Sequence, residues 1–144
     1  MKSSLSTIFE RISVRSYAAD PVDPALLRQL IDHAENLGPG PFGNRVRFGL
    51  IDASSYDSKQ LRTLGTYGLI SGARHYLTGA VKPAAGASED FGWLMEDIIL
   101  KATELGLGTC WLGGTLDRKV FGHHIQLQPD EVLAAATPIG FPVA

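Results

Sequence analysis

From Phe91 onward the apolar residues Phe91, Leu94, Met95, Ile98, Ile99, Ala102 and Leu105 recur at i, i+3, i+4, i+7, i+8, i+11 and i+14. On a helix this spacing gathers them into one broad stripe, wide enough to lie across a sheet. The helix is read as running from an N-cap at Ser88 to Leu105, with Glu96, Asp97, Lys101 and Glu104 on a solvated side. A helix with one such face needs a second layer to bury it, so the chain must fold as packed layers.

Beyond Leu105 the helix cannot continue. Gly106 stands at the left-handed position that ends helices. Thr109-Cys110-Trp111-Leu112 is a short β-branched and aromatic run, read as a strand, and it leads into Gly113-Gly114. A strand that ends in paired glycines, with a short helix over Asp117 to Phe121 close behind, leaves bare backbone N–H groups above it. That suits a flat, acceptor-rich ligand. A tight loop that binds nothing satisfies the same spacing, so the motif alone decides nothing.

Composition narrows the class. The 144 residues fit a single domain over 1–144, and 44% hydrophobic with 19% charged residues is globular rather than disordered. No apolar run is long enough to cross a bilayer, and the N-terminal MKSSLSTIFERISVRSY has no secretory core, which predicts a cytoplasmic protein with no membrane partner. Cys110 is the single cysteine, so no internal disulfide forms, and it is read as a buried small hydrophobe. A net charge of −2 gives no general attraction for nucleic acid.

The other segments are shorter. A helix over 4–12 carries the stripe Leu5, Ile8, Phe9 and Ile12, and Thr7-Ile8-Phe9-Glu10 has the form of a capping box. Beyond it Arg11, Ser13 and Arg15 alternate, so in extended backbone their side chains could lean to one side as an anion clamp. On this motif alone the stronger reading is a solvated helix end in which Arg11 pairs with a carboxylate, since surface charges are usually just surface.

Asp23-Pro24 opens a helix that buries Leu26, Leu27, Leu30, Ile31 and Ala34 and closes at Gly38. Gly38-Pro39-Gly40-Pro41-Phe42-Gly43-Asn44 is a rigid loop leading into a strand over Arg45 to Asp52. Residues 57–72 read as two helical pieces broken near Gly65, with Leu61, Leu64, Leu69 and Ile70 facing inward. His75 to Val81 and Val132 to Ile139 read as strands. His75 is taken as a hydrogen-bonded structural histidine and His123-His124 as a surface pair, not a metal site. The interspersed helices and strands indicate an α/β or α+β fold.

Taken together, Arg11 to Tyr17, Pro21-Val22, the Pro/Gly loop ending at Asn44, and Glu96 to Gly114 with its Gly-Thr-Cys-Trp-Leu-Gly-Gly signature resemble the FMN-dependent nitroreductase superfamily over nearly the whole chain. The resemblance implies an α+β fold, a mixed, mainly antiparallel sheet flanked by helices, in a homodimer with FMN at the subunit interface. By it, Arg11, Ser13 and Arg15 would hold the phosphate and ribityl chain, and Pro41 and Asn44 would contact the FMN of the partner subunit. Leu112, Gly113 and Gly114 would lie along the isoalloxazine, with a glycine N–H near N5. NADH or NADPH would pass hydride to N5, and a nitroaromatic or quinone-like small-molecule acceptor would then take it in ping-pong order, with no catalytic side chain.

Two departures qualify the resemblance. Where many relatives carry an Asn and a Lys, this sequence has Thr66, Tyr67 and Ser71, with Arg74 as the substitute cation. Relatives also continue past the position of Gly140-Phe141-Pro142 into a tail that brings basic residues to the phosphate; here the sequence reaches only Ala144, so that extension is expected to be missing. A non-catalytic flavin-binding or cofactor-free dimeric scaffold of the same fold is the alternative function.

Overall fold

A computed structural model describes residues 4–66, 69–114 and 116–143. In chain order the elements are α1 (Ser4–Glu10), α2 (Pro24–Glu35), β1 (Arg47–Asp52), α3 (Ser58–Arg62), β2 (His75–Ala80), α4 (Ala87–Glu104), α5 (Arg118–His124) and β3 (Ala136–Ile139). The three strands pair antiparallel in the order β1-β2-β3, with Asp52 opposite His75 and Thr78 opposite Ala136.

All six residues of β2 are buried, so the sheet is covered on both faces. Neighbouring residues of a strand point to opposite sides. Leu77 packs with Leu30 of α2 and Ile98 and Ala102 of α4, whereas Tyr76 meets Phe121 of α5 edge-on, ring centroids 5.6 Å apart. The α4 stripe is buried from Phe91 to Ala102, as its periodicity requires.

Helix ends follow local chemistry. The Asp23 side chain accepts from Ala25 N at 2.9 Å, as the Asp-Pro pair predicts. That helix stops at Glu35 and not near Gly38, because Asn36 caps it and returns its amide to Asp32 O. Gly106, with φ of +80°, follows the Leu105 cap of α4 as expected. The other end of α4 differs from expectation: its cap is Gly86, with φ of +74°, and not Ser88. A Cβ at Gly86 would stand 2.5 Å from Phe42, which packs over this turn.

Two further expectations fail. Thr7 lies inside α1 and is buried, so no capping box forms there, and Leu5, Ile8, Phe9 and Ile12 are 52% to 80% exposed. The apolar stripe of α1 faces away from the core. Between α3 and β2 the chain does not resume a helix among the described residues; Gly65 turns with φ of +74° and Leu69 is 47% exposed.

The run from Gly108 to Leu112 extends the sheet beside β3 without becoming a regular strand. Bridges join Gly108 to Gly140 and Leu112 to Ala136, a register that sets Cys110 opposite Pro138. Proline has no N–H to give. The other bond of that pair, from Cys110 N to Pro138 O, runs through the Thr137 hydroxyl: Cys110 N donates to Thr137 Oγ1 at 2.9 Å, and Thr137 Oγ1 donates to Pro138 O at 2.9 Å. Thr137 is fully buried. Thr137→Val, which keeps the shape and deletes the relay, is expected to cost about 1–3 kcal/mol in urea unfolding, the penalty for stranding a buried donor and acceptor.

On its other side this run takes the N-terminal segment, Val14 N donating to Thr109 O at 2.8 Å. No helix among the described residues is long and apolar enough to cross a membrane.

Candidate functional site

Arg15 is carried on a backbone clasp. Ser71 N donates to Arg15 O and Tyr17 N to Ser71 O, both at 2.8 Å, so residues 15–17 are tied to residue 71. Gly72 makes the closure possible, with φ of +84° and Tyr17 O where a Cβ would be, 2.3 Å away. The Arg15 side chain has no acceptor or carboxylate partner among the described residues.

Around Arg15 two cavities meet. One, about 570 Å3, is lined by Arg15, Thr66, Ile70, Ser71 and Tyr76; the other, about 230 Å3, by Arg15, Leu69, Ile70, Leu112, Gly113 and Gly114. They share Arg15, Thr66, Leu69 and Ile70, forming one groove of the size that ligand sites occupy, about 300–1,000 Å3. Its inner wall is Tyr76, whose phenol lies 3.2 Å from Thr66 Oγ1; burial pushes that phenol above its ordinary range.

Gly113 and Gly114 are exposed, and neither N–H has an acceptor among the described residues. A Cβ built at Gly114 would touch nothing, and one at Gly113 would come no nearer than 3.9 Å to Ala134 O. The groove therefore has a guanidinium at one side, apolar walls at Leu69 and Ile70, and at the other glycine backbone whose N–H groups no described residue accepts from. A flat ligand with ring acceptors and an anionic tail matches that set of groups.

The remaining sequence-derived residues lie elsewhere. Arg11 is not among the groove residues; its Nε is 3.5 Å from Glu96 Oε1, the carboxylate-pairing alternative, and its buried Nη1 has no partner among the described residues. Trp111 Nε1 donates to Glu96 Oε2 at 2.9 Å, so Glu96 is not simply solvated. Asp97 likewise pairs with His33, 2.5 Å away. Ser13 is exposed and held by its backbone bridge to Thr109. Arg74 lines neither cavity, and Tyr67 lies outside the described residues. His75, expected as a hydrogen-bonded structural histidine, is buried with Nε2 3.5 Å from Asp52 Oδ1 and with Nδ1 unpartnered among the described residues; burial lowers its pKa.

Pro41 and Asn44 sit on a loop anchored away from the groove by Asp90. This carboxylate is fully buried on α4 and accepts from Phe42 N at 2.9 Å, Asn44 N at 2.8 Å and Asn44 Nδ2 at 2.9 Å. Burial alone would raise its pKa, but the three donors outweigh that and hold it below the usual carboxylate range. Gly40 passes so close that a Cβ would lie 2.4 Å from the Asp90 carboxyl. Sequence reasoning missed Asp90, although a signal exists: it falls four residues before Leu94 and eight before Ile98, on the buried stripe.

An antiparallel sheet covered by helices on both faces, with a groove at the end of its added edge, defines an α+β fold of nitroreductase type. The same fold is found in a nitroreductase family protein of Clostridium novyi NT (TM-score 0.76, 18% identity, covering 99% of this chain and 86% of that one). It is found also in the FMN-dependent nitroreductase of Clostridium difficile R20291 (0.74, 22%, 97% and 88%). A third is the "putative nitroreductase in complex with FMN" of Desulfovibrio desulfuricans (0.78, 21%, 100% and 88%). The family described as "Putative TM nitroreductase" matches residues 4–144, and the chain belongs to this nitroreductase family. No curated protein matches it.

Proposed function

We propose that this protein is an FMN-dependent oxidoreductase that takes hydride from NADH or NADPH and delivers it to nitroaromatic or quinone-like acceptors. The observation that carries this reading is the single groove joining the Arg15 guanidinium, unpaired among the described residues, to the bare Gly113 and Gly114 backbone. Its groups fit FMN: a cation for the phosphate end, apolar walls for the ring, and N–H donors with no side chain above them.

Bound there, FMN would supply hydride transfer at N5, so the protein needs to provide orientation and electrostatics and no nucleophile. Arg15 would hold the phosphate or ribityl end. Leu69 and Ile70 would exclude water from the ring, and Leu112, Gly113 and Gly114 would face it. Nicotinamide and acceptor would use the remaining space in turn, which gives ping-pong kinetics.

Arg11 and Ser13 enter this scheme from outside the groove of one chain. For Arg11 to reach phosphate it would have to leave Glu96 and bring its buried, unpartnered Nη1 into the open. Pro41 and Asn44 would act on a second subunit's flavin, in a homodimer. The exposed apolar face of α1 supports such an assembly. The proposed setting is a single-domain cytoplasmic enzyme.

The test is a flavin titration followed by absorption spectra. The wild type should retain FMN and be bleached by NADH or NADPH. Arg15→Ala should weaken FMN binding by roughly 10–100-fold, the loss of one charge-assisted contact, without lowering the melting temperature. Unchanged affinity would remove Arg15 from the site, and a wild type that holds no FMN would sink the reading.

A further inference from the structure

Arg118 lies at the start of α5, outside the groove, yet its guanidinium is committed to the backbone that borders it. Nη2 donates to Gly113 O at 2.6 Å and to Ala134 O at 3.0 Å, and Nε donates to Leu133 O at 3.2 Å. The backbone of Arg118 is itself fixed, because Asp117 caps α5 by accepting from Lys119 N and Val120 N. One rigid fork thus joins the Gly113 turn to the segment leading into β3. A lysine offers only a point charge for the same task.

The bond to Gly113 O has a consequence on the other side of the same peptide. The Gly113 carbonyl and the Gly114 N–H share one plane and, in a trans peptide, point in opposite directions. Arg118 lines a separate shallow depression with Lys119 and His123, whereas Gly113 and Gly114 line the groove with Arg15. Drawing the carbonyl toward Arg118 therefore turns the Gly114 N–H away from it. That N–H has no acceptor among the described residues. A cation on the carbonyl also polarises the peptide and strengthens its N–H as a donor.

We propose that Arg118 is a positioning residue: by holding the Gly113 carbonyl it aims the Gly114 N–H into the groove as a donor to an acceptor atom on the flavin ring. This rests on the FMN reading above, but it assigns the work to a residue that never touches the ligand.

The experiment uses the full 15N-labelled chain loaded with FMN labelled with 15N at N3 and N5, in wild type, Arg118→Lys and Arg118→Ala. Arg118→Lys should fold with an unchanged circular dichroism spectrum and bind FMN about 5-fold more weakly, and Arg118→Ala at least about 10-fold more weakly, as a directed hydrogen bond is lost. In both, the flavin N5 resonance and the Gly114 amide resonance should move, while the flavin N3 resonance stays. A merely structural Arg118 would lower the melting temperature and leave the N5 resonance of the remaining bound flavin in place, which overturns the proposal. So does failure of both variants to fold. A wild type that binds no FMN removes the flavin reading first and this proposal with it; a wild type that binds normally beside an indistinguishable Arg118→Lys removes this proposal alone.

Discussion

Gly72→Ala should destabilise the protein by roughly 3 kcal/mol or more in urea unfolding, because two costs coincide there. The residue has φ of +84°, where an L side chain is strained. Its added Cβ would also fall 2.3 Å from Tyr17 O, a backbone atom that cannot swing aside. Relief requires opening the clasp between residues 15–17 and residue 71, hence the hydrogen bonds Tyr17 N to Ser71 O and Ser71 N to Arg15 O. The damage should therefore reach the groove, and flavin retention should fall even at temperatures where the variant is folded. Gly92→Ala is the control. It lies inside α4 with nothing within 4 Å of its Cβ, so it should be neutral or stabilising by about 0.5–1 kcal/mol.

Asp90→Asn should lower the melting temperature at pH 7 by roughly 5–10 °C, since a neutral amide cannot accept from all three donors that the carboxylate serves. The pH dependence carries the sign. Asp90 has a depressed pKa in the folded chain. Its stabilisation is therefore complete above the ordinary carboxyl value, about 3.9, and lost as pH falls through the lower folded value. Wild type and variant should differ most at neutral pH and converge in strong acid. Asp52 and Glu131 are depressed too, Asp52 chiefly by the Ser54 side chain and Glu131 chiefly by Arg47, but both proteins keep them, so the difference isolates Asp90. A constant gap from pH 7 down through the acid range would show that the carboxylate is not what holds the loop. On the homodimer proposal this loop carries Pro41 and Asn44 to the partner's flavin, so the variant should also bind FMN less well.

The legible parts of the fold were those governed by a period or a cap. The α4 stripe, the Asp23-Pro24 start and the Gly106 stop each depend on residues within a few turns, and all three stand where the pattern puts them. Periodicity shows that a helix has two sides and not what covers them. That is why the stripe of α1 could be recognised while its exposure could not. Long-range pairings were out of reach for the same reason. Nothing near Arg11 announces Glu96, and nothing near Gly113 announces Arg118, because each partner arrives from another element. In the groove itself, Arg15, Gly113 and Gly114 were nameable from residue chemistry and Leu112 only through the family resemblance, whereas Leu69 and Ile70 were assigned to the core and serve as walls.

The hydroxyl inserted opposite Pro138 also protects the sheet against slippage. Antiparallel neighbours can slide by two residues and keep every side chain on its own face, so burial alone does not forbid the error. Such a slide would set the missing N–H of Pro138 against Leu112 or Gly108 and break the bridges those residues make with Ala136 and Gly140. It would also carry Gly113 and Gly114 about 7 Å along the sheet, two residues of rise, away from both arginines. The address of the groove is thus written in one proline and the threonine before it.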